Sequence, residues 1–513
     1  MNLSAGFLNT KHLSVLARVI VCSMLLVLPS CTLIPRLRQA EPGPPLPATF
    51  KGAASPENSS HLGVDEFFND SMLTGLIDQA LADNRELRIL NEEVEIARND
   101  ILARQGAYLP IINFGAGVGL DRPSAFTPLG AAERQLEYQP GKHFPDPLGN
   151  FLGGFNLFWQ LDIWRELRNA RDAAAQRFLA ASERRNYFVT RLVAEVAENY
   201  YGLMALDQRL QTLNKTIEIQ EQSRKIAKAR MEAGRGTELA VQRFQAEVRK
   251  NQSEKLIVNQ QIVEVENRIN FLLNRFPQPV ERKSAGFFDL NIPMLSVGVP
   301  AQLLQNRPDI RQAERDLEAA GLDVKVARAH FFPKLDISAG VGYQAFSPQF
   351  LFNPEALIYA VAGNLVTPVI NMKAIRAEYQ SANAKQLQTV YNYQRVILNA
   401  FTEVINRLSK VENYSKSIDI KKEQLKSLQA SVDSATKLFL NARVEYVEVL
   451  LAQRDLLEAR TVLIETKREQ LSAIVNAYQA LGGGVVIDSA RLGAPVEGVP
   501  HGPPGPIVLP PAP

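Results

Sequence analysis

The sequence predicts an α+β membrane protein in which three copies of the chain close one twelve-stranded β-barrel, continuous with a long α-helical coiled-coil tunnel. Three observations support this fold class. Strictly alternating apolar residues follow a proline at two distant places in the chain. Very long helical hairpins follow these alternating stretches. The two halves of the chain also repeat one another.

The stretches after Pro110 and Pro333 have the pattern of strands with one apolar side. Every second residue is apolar, and the residues between are mostly polar or glycine. A period of two predicts a strand with one apolar face. Helical patterns precede both prolines, the first running from Ser71 to Ala107, so each proline marks a helix–strand junction. The apolar residues are Ile112, Phe114, Ala116, Val118 and Leu120 in the first stretch, and Leu335, Ile337, Ala339, Val341 and Tyr343 in the second.

Each of these strands is followed by a loop and a second strand. In the first half a loop rich in proline and glycine, residues 121–150, leads to a strand at about 151–163. In the second half a shorter loop leads to a strand at about 359–367. Two strands around such a loop predict a β-hairpin, so the chain contributes four strands.

Long helical hairpins follow each β-hairpin, over residues 165–274 and about 371–481. Leucines spaced three and four residues apart predict coiled-coil packing along the helices. The sequence Gly234-Arg235-Gly236 predicts the end of the first helix of the first hairpin, and Thr237 is the expected N-cap of the next helix. A helix of about sixty residues is some 90 Å long, far beyond what a membrane needs, so the hairpins predict a tube standing in the periplasm.

The two halves align as an internal repeat. At the spacing that pairs Pro110 with Pro333, Gly117-Val118-Gly119 matches Gly340-Val341-Gly342. After the hairpin loop, which is longer in the first copy, Glu195-Val196 matches Glu403-Val404. Self-similarity over this length indicates a duplicated structural unit.

The N-terminus has the features of a signal peptide. Positive residues precede the short apolar run Val19–Leu28, which leads into Pro29-Ser30-Cys31. A small residue before cysteine at the end of an apolar run predicts a lipoprotein box with lipidation at Cys31; the alternative is ordinary cleavage that leaves Cys31 a free thiol. The absence of aspartate after Cys31 favours sorting to the outer membrane. Cys22 lies in the leader, so no intramolecular disulfide is expected.

Composition shifts and the repeat together give the domain organisation. The proline and glycine content of residues 35–56 predicts an extended tether. The C-terminal stretch is also rich in proline. The predicted segments are a signal peptide (1–30), a lipid-anchored flexible N-terminal tether (31–64), a first repeat of helix, β-hairpin and helical hairpin (65–276), a linker (277–300), a second repeat (301–484) and a C-terminal tail (485–513).

Four strands cannot close a barrel alone, and an open sheet edge in lipid would leave backbone groups unsatisfied. Bacterial barrels begin at about eight strands, and three copies of this chain would supply about twelve. The strand ends carry aromatic residues that predict an interfacial girdle, with burial in the core of a soluble sheet as the alternative; they are Tyr108, Trp164, Phe331 and Phe332. The residues expected to face lipid are Ile112, Phe114, Val118, Trp159, Leu161, Ile337, Val341 and Tyr343.

Several short segments, taken with the duplicated halves, resemble one known family. They are Ser30-Cys31, the helix–proline–strand junctions, Asn306-Arg307-Pro308-Asp309-Ile310, Ala452-Gln453-Arg454 and Leu481-Gly482-Gly483-Gly484. The chain resembles the TolC-like outer-membrane factors over about residues 65–484, in the lipoprotein efflux branch (OprM/NodT-like).

The resemblance implies an outer-membrane homotrimer that extends into the periplasm and conducts small molecules passively out of the cell. It implies two protein partners, a periplasmic adaptor (membrane fusion) protein and an inner-membrane transporter of the proton-driven RND type. Two alternatives stay open. One is the outer-membrane duct of a type I protein secretion system, and the other is a periplasm-spanning structural lipoprotein without a pore.

The resemblance also assigns roles at the two helical turns. Family members meet the adaptor at these turns, which here correspond to Gly234, Arg235, Gly236 and Thr237 in the first turn and Arg443 in the second. The second turn lacks the common glycine, and plain interhelical connectors are the alternative. Glu445 and Glu448 lie three residues apart on one helical face. Repeated around a trimer axis, they would form an acidic pore gate, with an ordinary solvated face as the alternative.

The sequence carries no signal for an enzyme, a cofactor, a metal site or a nucleic-acid site. The five histidines are scattered without metal-ligand spacing, and the net charge is only +3. The glycines at positions 115, 117 and 119 lie in a predicted strand rather than at the start of a helix, which excludes a dinucleotide-binding loop.

Overall fold

The structure is a computed structural model that describes residues 34–50, 59, 62–284, 286–290, 298–368, 370, 372–441 and 443–484. The predicted signal peptide, the lipidation residue Cys31 and the C-terminal tail lie outside the described residues, as does Ala442 of the second helical turn.

The helices and strands alternate in two similar halves. The helices are α1 (Val64–Phe68), α2 (Ser71–Asp83), α3 (Arg85–Ala107), α4 (Pro128–Glu133), α5 (Glu166–Glu232), α6 (Glu238–Leu272), α7 (Leu303–Asn306), α8 (Pro308–Ala329), α9 (Lys373–Leu440) and α10 (Tyr446–Ala480). The strands are β1 (Ile111–Asp121), β2 (Glu137–Gln139), β3 (Lys142–His143), β4 (Leu148–Leu161), β5 (Lys334–Ala345) and β6 (Leu357–Val366). Among the described residues, no helix is both long enough and apolar enough to cross a membrane.

Helix α5 has 67 residues and α9 has 68, and each is followed by a helix of 35 residues. The predicted pair of long helical hairpins is therefore present. The single helix predicted from Ser71 to Ala107 is wrong, because Asn84 divides it. The buried Asn84 side chain accepts from the backbone N–H of Leu87 at 3.0 Å and donates to the Leu272 carbonyl at 2.9 Å. Asparagine competes for backbone partners in this way and favours a helix start over a helix interior.

The strands form one four-stranded antiparallel sheet in the order β1-β4-β5-β6, and β2 and β3 pair in a separate two-stranded sheet. The four strands are 10 to 14 residues long, enough for a tilted strand to cross a membrane. Within the described residues, β1 and β6 each pair along one side only, so the sheet has two open edges.

The chain divides into two compact units. One contains described residues 34–43, 94–181 and 313–394, and therefore the four-stranded sheet. Its buried cluster consists of Val324, Ala327, Phe331 and Tyr379, with Ile34 packed against them. The residues predicted as a flexible tether make defined contacts here: the Asn383 side chain pairs with both the N–H and the carbonyl of Arg38, at 2.9 and 3.2 Å.

The second unit contains described residues 44–93, 182–312 and 395–484 and has the larger core. Phe67 stacks on Tyr478 at 4.0 Å between ring centroids, and both rings are buried. The segment predicted as a linker contributes to this core through Val280 and Phe287. Arg282 fastens the same segment by ion pairs with Asp207 and Glu266, each at 2.6 Å.

Candidate functional site

The sheet has one continuous apolar face, which the strand register defines. Residues opposite one another on antiparallel strands lie on the same face. Phe114 lies opposite Phe155, which lies opposite Val341, which lies opposite Tyr359. The neighbouring rows repeat this apolar character, and many of the side chains are exposed. All eight residues expected to face lipid lie on this face: Ile112, Phe114, Val118, Trp159, Leu161, Ile337, Val341 and Tyr343.

The opposite face consists mostly of polar residues, glycine and alanine. Its large apolar residues are Ile111, Leu148, Leu152, Phe158, Ile358 and Val366. Asn113 lies opposite Asn156 and then Gly340, and in another row Gln160 lies opposite Asp336. Gly154 and Gly342 face each other on this side, where a Cβ on either would lie 2.6 Å from a carbonyl oxygen of the other strand. Glycine therefore permits the close approach of these two strands. A membrane sheet with one apolar and one polar face can line a water-filled channel.

Both predicted junction prolines lie between a helix and a strand. Pro110 falls between α3 and β1, and Pro333 falls between α8 and β5. Proline has no N–H to donate and disfavours helix in the residue before it, so it ends the helical pattern there. Tryptophan side chains hold both junctions: the Trp159 indole donates to the Tyr108 carbonyl at 3.1 Å, and the Trp164 indole donates to the Pro333 carbonyl at 2.7 Å.

The aromatic residues at the strand ends divide between the surface and the core. Trp164 is exposed and stacks on Phe332 at 4.7 Å between ring centroids. Phe331 is only 4% exposed and packs edge-on against Tyr379 at 5.6 Å. The girdle assignment is therefore wrong for Phe331. Adjacent residues at a helix end point in different directions, and here Phe331 is buried whereas Phe332 is half-buried.

A charged cluster lies beside the second junction. His330 contacts the carboxylate of Glu166 at 3.2 Å and that of Glu378 at 3.0 Å, and Lys334 donates to Glu166 at 2.8 Å. The hydrogen bond with Glu166 raises the pKa of His330 above its ordinary value, against the opposing effect of burial. Burial by itself raises the pKa of Glu166, but the bonds from His330 and Lys334 hold that pKa below its ordinary value.

The first helical turn closes as the sequence predicts. Gly234 has φ of +71°, in the left-handed region that glycine adopts readily. The Arg235 N–H donates to the Arg230 carbonyl at 2.8 Å and closes the end of α5. Thr237 is the N-cap of α6, and its hydroxyl accepts from the Ala240 N–H at 3.4 Å.

The second turn closes with the equivalent hydrogen bond although it lacks glycine. The Arg443 N–H donates to the Leu438 carbonyl at 2.9 Å. Glu445 is the N-cap of α10 without a side-chain cap bond, and Glu448 lies in the first turn of that helix. Both glutamates are exposed. Their carboxylates lie close together in sequence at a helix N-terminus, where negative charge is favoured.

Arg230 joins the two turns, a contact that the sequence analysis missed. Its guanidinium donates to the Phe439 carbonyl at 2.6 Å and lies 4.6 Å from the centre of the Phe439 ring. Phe439 is buried in a small cluster with Phe244 and Val449, which belong to the first and second hairpin respectively. No local pattern marks this contact, because its partners are 209 residues apart.

The contacts of Arg307 give the segment Asn306-Arg307-Pro308-Asp309-Ile310 a structural role. The guanidinium is 3% exposed, pairs with Asp309 at 2.8 Å and with Glu403 at 3.0 Å, and donates to the Ala480 carbonyl at the end of α10. Pro308 begins helix α8, a position where proline is favoured. Gly482 has φ of +93° and lies against the backbone of Asn306, so the glycine-rich ending and this segment form one structural unit.

A two-faced sheet with open edges, on a chain that also contains helical hairpins far longer than a membrane requires, defines a subunit of a membrane channel that completes itself with other chains. The comparisons with known proteins specify the class. The family model described as outer membrane efflux protein matches residues 76–275 and 299–483. The chain belongs to this family.

Individual relatives cover almost the whole chain. The cation efflux system protein CusC of Escherichia coli O6:H1 is 27% identical over 469 residues, 90% of this chain and 97% of the relative. The toluene efflux pump outer membrane protein TtgI of Pseudomonas putida is 28% identical, with the same coverage of both chains. The probable outer membrane lipoprotein SilC of Salmonella typhimurium is 25% identical, over 91% of this chain and 99% of the relative.

A crystal structure of CusC matches with a TM-score of 0.76 and 25% identity, over 88% of this chain and 99% of that chain. The predicted resemblance, fold class and localisation in the outer membrane are confirmed by these matches. The chain is an outer-membrane channel component of an efflux system, and its relatives are efflux channels rather than enzymes.

Proposed function

We propose that three copies of the chain form one channel, which carries small molecules passively across the outer membrane. The open edges of the sheet support this proposal. In lipid an unpaired strand edge leaves N–H and C=O groups without partners, at a cost of several kcal/mol each. The edges disappear if β6 of one copy pairs with β1 of the next.

The strand directions allow this closure. Consecutive strands in the order β1-β4-β5-β6 are antiparallel, so β6 of one copy and β1 of the next also run in opposite directions. The same edge-to-edge contact repeats around a ring, which makes it a heterologous interface that closes. Three copies give twelve strands, an even number within the range of bacterial barrels. The polar face then lines the lumen and the apolar face contacts lipid.

Two measurements on the purified full-length protein test the channel. The mass of the detergent-solubilised protein should be three times that of one chain, and the protein should produce conductance steps in a planar lipid bilayer. A monomer that stays soluble without detergent would refute the proposal. A trimer without conductance would favour the alternative of a structural lipoprotein without a pore.

We infer that the partners are a periplasmic adaptor protein and an inner-membrane transporter of the proton-driven RND type. CusC is named for cation efflux and TtgI for toluene efflux, yet the two are almost equally similar to this chain. This similarity supports a division of labour in which the pump rather than the outer component selects the cargo. Co-purification of an ABC transporter in place of an RND pump would instead favour the type I secretion duct.

The helical turns are the proposed adaptor contacts. Gly234, Arg235, Gly236 and Thr237 form the first turn, and the exposed Arg443 lies in the second. A photo-crosslinking residue at Arg443 in living cells should capture the adaptor. A crosslinker at Ile96 of α3, which is also exposed but distant in sequence from both turns, is the matched control. Equal capture from both positions would refute specific docking at the turns.

Cys31 is the proposed lipidation site, as expected for the lipoprotein branch. SilC is named as a probable outer membrane lipoprotein, which supports this assignment. Ile34, three positions after Cys31, packs against the cluster that contains Phe331 and Tyr379, next to the strand ends. Mass spectrometry of the N-terminal peptide should find acylated Cys31, and an unmodified thiol there would refute the assignment.

A further inference from the structure

A groove of about 510 Å³ opens in the apolar face of the sheet, across β1, β4 and β5. Its floor is the strand backbone around Ala116 and Gly153, and its lining contains no charged side chain. Phe114 and Phe155 stand at one end and Tyr343 stands at the side. The volume is within the range of pockets that hold small apolar ligands, about 300–1,000 Å³.

The groove arises from one pair of small residues on neighbouring strands, in a face of mostly larger ones. Ala116 lies directly opposite Gly153, and the adjacent row pairs Phe114 with Phe155, whose rings contact each other at 5.1 Å. The ring of Phe151 leans over Gly149 on the loop side, where it would lie 3.0 Å from an added Cβ. Nothing lies within 4 Å of the position that a Cβ on Gly153 would occupy. The space above this glycine is therefore empty within the chain.

The loop between β5 and β6 supplies the remaining wall. Phe352 contacts Tyr343 at 6.3 Å between ring centroids and is 83% exposed, and Leu351 lines the groove beside it. Leu357, the first residue of β6, completes this end. The loop joins the strand ends opposite the helix junctions, so in the outer membrane it faces outward. The groove accordingly belongs to the outer-leaflet half of the sheet.

We propose that this groove binds one acyl chain of an outer-leaflet lipid. The groove is continuous with the face that contacts lipid in the assembled channel, a condition that rests on the proposed orientation of the sheet. An unbranched hydrocarbon chain needs no hydrogen-bond partner and fits a lining of alkyl and aromatic groups. Lipid tails are as apolar as the groove, so the affinity comes from van der Waals packing rather than from the hydrophobic effect. Depth and shape, which Gly153 provides, therefore decide binding.

Native mass spectrometry of the delipidated full-length oligomer tests the site, with rough-type lipopolysaccharide as the titrant. Gly153→Phe fills the groove and should weaken binding about tenfold, the equivalent of about 1.4 kcal/mol. Gly363→Phe is the matched control, because Gly363 lies on the same apolar face opposite Ile337 and also has open space at its Cβ. This control should bind lipopolysaccharide as the unmodified protein does.

Phe352→Ala removes the outer wall of the groove without changing a residue of the sheet. It should weaken lipid binding even if the Gly153→Phe protein fails to assemble into the oligomer. Equal binding by all variants, or equal weakening by both glycine variants, would overturn the proposal. Dimyristoyl phosphatidylethanolamine is the second titrant. If it binds as tightly and with the same dependence on Gly153, the assignment to an outer-leaflet lipid is wrong. Conductance of the unmodified protein reports separately on the channel itself, so failure of the groove and failure of the channel are distinguishable.

Discussion

Arg230 is the one charged side chain described above that joins the two helical turns, and its replacement should loosen them. Its guanidinium donates to the last-turn carbonyl of Phe439 at 2.6 Å and lies over the Phe439 ring at 4.6 Å. A hydrogen bond from a charged donor contributes about 1.5 kcal/mol net. A partly exposed cation–π contact adds about 0.5 kcal/mol. Arg230→Met keeps the aliphatic stem and should therefore cost about 2 kcal/mol.

The assay is hydrogen–deuterium exchange of the amides near the end of α9. Exchange in this region reports local opening, whose free energy differs from that of global unfolding. A loss of about 2 kcal/mol corresponds to roughly thirtyfold faster exchange. The Arg443 N–H, which donates to the Leu438 carbonyl, is the most informative amide. Arg235→Met is the matched control, since it removes the same charge from the same turn.

Unchanged exchange in Arg230→Met would refute the reasoning, because the contact would then contribute nothing to holding the two turns together. Equal acceleration in Arg235→Met would also refute it, since a general effect of charge on the turns would explain both results. If the contact also restrains the pore, Arg230→Met should increase the fraction of open time in a planar bilayer.

Three further predictions concern charged groups. Replacing Glu445 and Glu448 together with Ala should raise single-channel conductance and weaken block by multivalent cations, since an acidic ring attracts cations; unchanged conductance and block would count against the gate. The pKa of His330 is raised in the folded protein, so its contribution to stability is complete below about pH 6.5 and is lost as the pH rises through the raised value. The Tm difference between the unmodified protein and His330→Gln should therefore shrink from pH 6 to pH 9, and a constant difference would contradict this assignment. Arg307→Met leaves the partly buried carboxylates of Asp309 and Glu403 without their buried partner and should cost about 3 kcal/mol, measured by denaturant unfolding. The exposed Arg443→Met should change stability little.

Much of the local structure could be predicted from the sequence. Alternation of apolar and polar residues identifies β1 and β5 because the side-chain period of a strand is two. Pro110 and Pro333 mark the helix–strand junctions because proline restricts the backbone dihedral angles of its own residue and of the residue before it. Gly234 and Thr237 locate the first turn for similarly local reasons. The eight residues expected on one face of the sheet also share that face.

Contacts between distant segments were not predictable in the same way. Asn84 interrupts a helical pattern because it finds a partner at the Leu272 carbonyl, 188 residues away. Phe331 and Phe332 are identical in type and adjacent, yet only the packing of Tyr379 decides that the first is buried. The sequences of the two turns did not predict the contact between Arg230 and Phe439.

The sequence by itself determined the repeated order of helix, strand and helical hairpin, and which strand residues are apolar, because these depend on neighbours along the chain. Tertiary structure alone decided the registers of β4 with β1 and with β5, which place Gly153 between Ala116 and Tyr343 and so create the groove. It also decided which strands remain as edges. Hydrogen-bond pairing is available to every strand backbone, so only the competition among complete arrangements of the chain selects the partner and the register.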